Sequence, residues 1–309
     1  MKNPKVSVIG AGNVGATCAH LILQDNLAEV ALIDIQEGLA AGKALDLAEA
    51  GPVEGFSMPI AGSTDMALAK DSDIVVITAG LARKPGMSRS DLLETNSKII
   101  KSICTEITKS APEAIIIMVT NPLDIMAYVA LKTTQFMEQR VMGMAGVLDT
   151  ARFRTFIADV LKVASSDIQT MVLGGHGDSM VPLVDRTTVS SIPLGSLMDS
   201  RRIEEIVSRT RKGGAEIVSL LKTGSAFYAP AASVVQMVKA IINDEKRIIP
   251  ASAYLNGQYG LKEIFLGVPV KIGRQGVEEI MELELSESDM SALKISAQKV
   301  AEDISQLEL

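Results

Sequence analysis

Two histidines occur among 309 residues, and one of them, His176, sits in the run Gly174-Gly175-His176-Gly177-Asp178. An imidazole titrates near neutral pH, so His176 is the natural candidate for moving a proton. Its flanking glycines expose the ring and let a ligand come close, although a lone histidine also fits a structural role. His20 falls on a helix face opposite Cys18, lacks any glycine setting and reads as a solvated surface residue. Two histidines leave little from which to build a histidine-ligated metal centre, and no metal is expected. Asp149 and Arg152 are three residues apart and share one helix face. They form either a local salt bridge or two tools: a carboxylate that orients a histidine and a guanidinium that forks onto a substrate carboxylate. Residues 81–89 (LARKPGMSR) place Arg83 and Arg89 around a Pro-Gly turn, as a solvated basic loop or as part of an anion site.

A glycine-rich run, Gly10-Ala11-Gly12-Asn13-Val14-Gly15, follows an apolar strand and opens a helix. In that setting Gly10 makes the tight turn, Gly12 lets a pyrophosphate reach the backbone, and Gly15 permits close helix–sheet packing. The helix N-terminus offers free N–H groups and partial positive charge to phosphates. Asp34 closes the next strand 19 residues after Gly15, placed to accept from a ribose diol. Ile35 and Gln36 follow it, so a 2′-phosphate would meet an unbalanced carboxylate; NAD is favoured over NADP. The alternative is a structural glycine turn with Asp34 as a strand-end charge.

These groups need elements to hold them. Apolar runs at 5–9, 29–35, 73–77 and 114–119, and a weaker one at 140–144, read as strands. Val14, Cys18, Leu21 and Ile22 recur at helical spacing, as do Leu93, Ile100, Ile103 and Ile107 after a capping box at Ser88–Asp91. Such alternation predicts a parallel sheet with helices on both faces. The second half differs. A helix from about Asp149 buries Phe153, Phe156, Ile157, Val160 and Leu161; runs at 168–173 and 181–189 have strand character, and a long helix begins near Arg201. Runs at 248–255 and 264–272, with Gly and Pro turns, favour antiparallel hairpins, and a last helix starts near Ser286. The pattern changes near residue 145, dividing the chain into 1–145 and 146–309, with the two parts in close contact.

Composition bounds the rest. With 47% hydrophobic and 22% charged residues the chain is neither disordered nor membrane-spanning: apolar runs such as AIIIMV at 114–119 are far shorter than the roughly 18 residues a span needs. A net charge of −7 argues against nucleic acid as a partner. An anionic substrate must then be held by local arginines against the global field. The chain starts straight into a strand without a leader pattern, and Cys18 and Cys104 read as reduced core thiols, so a cytoplasmic location is expected.

Together these motifs resemble the lactate/malate dehydrogenase family, in particular its lactate-dehydrogenase-like malate branch in prokaryotes. The markers are GAGNVG (10–15), Asp34, ARKPGMSR (82–89), VTNP (119–122), LDTAR (148–152) and GGHGD (174–178), in order along the whole chain. Ala82 stands where the family pattern has proline, which loosens a φ constraint but removes no functional group. The resemblance implies a Rossmann-type doubly wound α/β domain that binds NAD, followed by an α+β substrate domain with antiparallel strands. It implies His176 as acid/base with Asp149 as its partner, Arg152 on the substrate carboxylate, and Arg89 over the reacting carbonyl. Asn121 would contact that carbonyl, with Asn96, Val119 and Thr120 along the cofactor beside Ala11, Asn13 and Val14. Ser225 is a further candidate near the substrate. Arg83 would meet a second carboxylate, making malate and oxaloacetate the substrates and the protein a homodimer or homotetramer. Two alternatives stay open: a lactate or other 2-hydroxyacid dehydrogenase, and a non-catalytic NAD-binding sensor.

Overall fold

The computed structural model describes residues 3–81 and 89–307; the side chain of Arg89 lies outside that description. Six parallel strands form the first part of a nine-stranded sheet: β1 (Lys5–Ile9), β2 (Glu29–Ile33), β3 (Ile60–Ser63), β4 (Ile74–Ile77), β5 (Ile115–Met118) and β6 (Val141–Gly143). Helices α1 (Asn13–Gln24), α2 (Leu39–Glu54), α3 (Arg89–Ser110) and α4 (Leu123–Thr134) connect them. Strands β4 and β5 are buried at every position and read as unbroken apolar runs, as strands covered on both faces must. The expected strands are present, all but β1 shorter than their apolar runs; Asp34 lies just beyond β2.

Spatially the six strands run β6-β5-β4-β1-β2-β3. The chain therefore reverses direction between β1 and β4, and the loops leaving those two strands diverge. In open α/β sheets that divergence makes the ligand crevice.

Helix α5 (Ala145–Leu161) begins four residues before Asp149, so Asp149 and Arg152 lie in its second turn and beyond. Its Phe153 and Ile157 are fully buried, while Phe156, Val160 and Leu161 are only partly so. The expected strands at 168–173 and 181–189 are broken into β7 (Ile168–Gln169), β8 (Val172–Leu173), β9 (Val181–Pro182) and β10 (Thr188–Val189), with β11 (Ile192–Pro193) pairing on β10. Together with α6 (Ser200–Leu221) these small pieces enclose a second apolar cluster around Phe153 and Ile203. Helix α7 (Tyr228–Ile242) packs on α1.

The antiparallel strands β12 (Arg247–Asn256), β13 (Lys262–Gly273) and β14 (Gly276–Ile280) do not make a sheet of their own. They extend the parallel sheet through one β6–β12 pairing, Gly143 opposite Ser252. Helix α8 (Glu287–Ile304) closes the chain, its N-terminus capped by the Ser286 side chain accepting from the Asp289 N–H. No helix among the described residues is long and apolar enough to cross a membrane.

One single-residue expectation changes. His20 is half-buried rather than free in solvent: it pairs with Glu54 at 2.8 Å and tilts against Phe56, because α2 lies alongside α1. Cys18 and Cys104 are buried free thiols, as expected, and burial pushes both up to about 12. The capping serine, Ser88, lies outside the described residues.

Candidate active site

The glycine loop leaves β1 at the crevice. Gly10 adopts φ +106°, and a Cβ there would fall 2.6 Å from Thr78 Oγ1. A Cβ on Gly15 would lie 1.8 Å from the Gly10 carbonyl oxygen, so α1 can rest on the strand end only without one. Gly12 differs, since a Cβ there meets nothing within 4 Å. It faces open space at the start of α1, whose N-terminus no side chain caps. Backbone donors beside an uncovered glycine form a cradle suited to a pyrophosphate.

Asp34, the ribose candidate, holds the loop in place. Its Oδ2 accepts the Ala11 N–H at 2.7 Å and its Oδ1 accepts the Gln36 N–H at 2.9 Å, tying the loop to the end of β2. Lys43 of α2 donates to the Ala11 carbonyl at 2.7 Å. Sequence reasoning missed this lysine, which carries no motif.

The opposite wall comes from β4 and β5. Thr120 Oγ1 donates to the Ala79 carbonyl at 2.7 Å, and a cis peptide joins Asn121 to Pro122. Asn96 of α3 is fully buried and clamps three backbone groups. Its Oδ1 accepts from Leu81 N, while Nδ2 donates to the Leu81 and Asn121 carbonyls at 3.1 and 2.7 Å. Its side chain thus shapes the wall from behind. Val14, Val119, Thr120 and Asn121 line the cleft itself, about 460 Å³, and Ser225 does as well.

His176 enters this cleft from the loop after β8. Its Nδ1 lies 2.8 Å from Asp149 Oδ2, and Arg152 Nη1 donates to Asp149 Oδ1 at 3.2 Å. The i,i+3 spacing on α5 therefore makes the local salt bridge, and Asp149 meets the histidine with its other oxygen. Asp149 is almost wholly buried. Burial by itself disfavours the charged imidazole, but the attraction and hydrogen bond of Asp149 outweigh it, and the His176 pKa is raised. Arg152 Nε is buried with no hydrogen-bond partner among the described residues. Arg152 also lines the cleft, where a guanidinium suits an incoming carboxylate. Gly213 and Gly214 of α6 face that guanidinium and leave it room. The glycine pair inside a helix was the available signal for this packing, and it was not read.

The loop carrying His176 is fixed from three sides. Gly174 and Gly267 of β13 exchange backbone hydrogen bonds at 2.8 and 3.1 Å. Gly175 N donates to Ser296 Oγ of α8 at 2.8 Å. The His176 N–H donates to Asp124 Oδ2 of α4 at 2.8 Å. None of these anchors stood out in the sequence. Arg83 lies outside the described residues, as does the side chain of Arg89.

The lactate/malate dehydrogenase NAD-binding domain matches residues 4–143, and the alpha/beta C-terminal domain of the same proteins matches residues 146–308. The chain belongs to the lactate/malate dehydrogenase family. A malate dehydrogenase of Methanosarcina barkeri is 55% identical across 99% of both chains, and one of Bacillus cytotoxicus is 55% identical across 97% of both. Among solved structures, the apo malate dehydrogenase of Picrophilus torridus superposes with a TM-score of 0.96 at 47% identity, covering 98% of this chain and 97% of that one. A Cryptosporidium parvum lactate dehydrogenase complexed with lactic acid and NAD gives 0.96 at 41% identity, covering 99% and 98%. Family membership thus brings an NAD-binding domain with it, while the fold accommodates both activities that the family name joins.

Proposed function

We infer that this chain is an NAD-dependent malate dehydrogenase, reversibly oxidising (S)-malate to oxaloacetate. The observation that carries the reading is the buried relay Arg152–Asp149–His176 opening into the cleft below the glycine loop. Full-length relatives of about 55% identity that bear the malate dehydrogenase name support the substrate. So does Arg83, the position where the lactate branch resembles glutamine. We assign residues 1–145 to cofactor binding and 146–309 to substrate and catalysis.

NAD fits the cradle of Gly12, the uncapped α1 N-terminus and Asp34, and when bound supplies the hydride-accepting chemistry. The protein's residues handle the proton and the charges. With Nδ1 held by Asp149, the neutral ring keeps its hydrogen there and presents Nε2 to the cleft. In the oxidising direction Nε2 takes the hydroxyl proton of malate, and Asp149 stabilises the resulting imidazolium. In the reverse direction the imidazolium returns that proton to the carbonyl oxygen of oxaloacetate. Arg152 pairs with the carboxylate next to the reacting carbon, using the donors that Asp149 leaves free. Arg89 stabilises charge developing on the carbonyl oxygen, and Arg83 meets the second carboxylate. Asn121 seats the carbonyl beside them.

The exposed apolar side chains Leu45 and Val53 on α2, and Leu220, Leu221 and Tyr228 around the α6–α7 turn, support assembly as a homodimer or homotetramer; the location we assign is the cytoplasm, on the reduced buried thiols. The deciding assay follows NADH oxidation with oxaloacetate and with pyruvate at matched concentrations, repeated with NADPH. Turnover with oxaloacetate and NADH is expected. A preference for pyruvate overturns the substrate, and no turnover with either overturns the enzyme in favour of an NAD-binding sensor.

A further inference from the structure

Asp124 is a buried carboxylate with no part in the relay described above. It stands in the first turn of α4, 3% exposed, and each of its oxygens receives one donor from a different element. Oδ2 accepts the main-chain N–H of His176 at 2.8 Å, and Oδ1 accepts the Ser252 hydroxyl of β12 at 2.6 Å. Each oxygen thus has a donor to accept from, as an ionised carboxylate requires. Burial raises its pKa, while the two donors oppose that rise.

We propose that Asp124 is a positioning residue for the His176 acid/base. It fixes the main chain of the histidine against α4 and β12, and places a second negative charge behind the ring, where it favours the imidazolium. The proposal rests on the reading of His176 as the proton carrier. Among the described residues, the charged groups around the ring are few. Asp149 and Arg152 face it from α5, Asp178 from its own loop and Arg211 from α6 across the cleft. Behind Asp124, a cavity of about 620 Å³ is lined by Lys299, Glu302 and Asp303 of α8.

The test exploits the presence of only two imidazoles, His20 and His176. Their ring resonances are titrated by NMR in the parent and in Asp124→Asn, with His20→Gln giving the assignment. The amide keeps an oxygen for the His176 N–H but removes the charge. The His176 pKa should fall by about one unit while His20 stays put. In steady-state assays kcat should fall roughly ten- to hundredfold, with the KM for NADH unchanged, since the loop alone is disturbed. Ser252→Ala keeps the charge and removes one anchor, so it should leave the His176 pKa in place and cut kcat severalfold. If Asp124→Asn does not fold, Ser252→Ala decides alone. An unchanged His176 pKa in Asp124→Asn, or parent-like kcat in Ser252→Ala, overturns the proposal. Because the titration needs no turnover, a parent inactive on oxaloacetate would refute the malate reading and leave the Asp124 result legible.

Discussion

At the scale of single residues, the site divides proton handling from charge handling. In the proposed mechanism His176 carries the proton, and the protonation state that each direction needs sets how pH acts. Oxaloacetate reduction needs the imidazolium, so kcat/KM in that direction should fall as pH rises through the His176 pKa. Malate oxidation needs the neutral ring and should rise across the same pKa. His176→Asn should abolish both limbs and lower kcat by about 10²–10⁴, the usual worth of a placed general acid/base. NADH binding, read by fluorescence titration, should survive, because no part of the glycine cradle touches the ring. A variant that kept both the pH limbs and the rate would exclude His176 from the chemistry. Charge handling makes the other prediction. In Arg83→Gln the second carboxylate of oxaloacetate loses its partner inside a closed site, and kcat/KM should drop by about 3–5 kcal/mol. Oxaloacetate turned over as fast by that variant as by the parent would remove Arg83 from substrate recognition.

At the scale of elements, the glycine loop separates folding from binding in neighbouring positions. A Cβ at Gly15 collides with the Gly10 carbonyl at the junction of β1 and α1, whereas one at Gly12 enters open space. Gly15→Ala should therefore lower the thermal midpoint, and Gly12→Ala should keep the parental midpoint while weakening NADH binding. Equal effects of the two on both measurements would refute the cradle. The loop was legible in the sequence because a strand, three spaced glycines and a helix were all local. Strands β4 and β5 were legible for the same reason: burial on both faces writes a continuous apolar run. Edge strand β3 (IAGS) has no such run, and α7 exposes a narrow face at Ala229, Ala232 and Lys239 with too few polar residues to mark a stripe. Residues 168–189 misled because their apolar side chains fill a small satellite core without pairing as long strands. Asp124 carries no motif, since only the folded chain brings Ser252 and His176 to it.

At the scale of the molecule, the cofactor-binding and catalytic parts share one sheet. Gly143 of β6 pairs with Ser252 of β12, and the Asp124–Ser252 hydrogen bond is buried at the same seam. One apolar core runs without a break from Val6 and Ile22, through Ile116 and Met142, to Phe265 and Val300. The second cluster, around Phe153, is far smaller and lies on the same helix as Asp149. Neither part can expose its face of the seam without opening the main core, so the chain should unfold in one cooperative step. NADH, which by this reading touches mainly the first part, should then stabilise the second part equally. At a concentration a hundredfold above its Kd, linkage gives about 2.7 kcal/mol to the native state. Scanning calorimetry should show a single endotherm displaced as a whole to higher temperature. Two endotherms, of which only one moves with NADH, would mean that the sheet divides at β6–β12 and that the two parts are held together by less than the shared core implies.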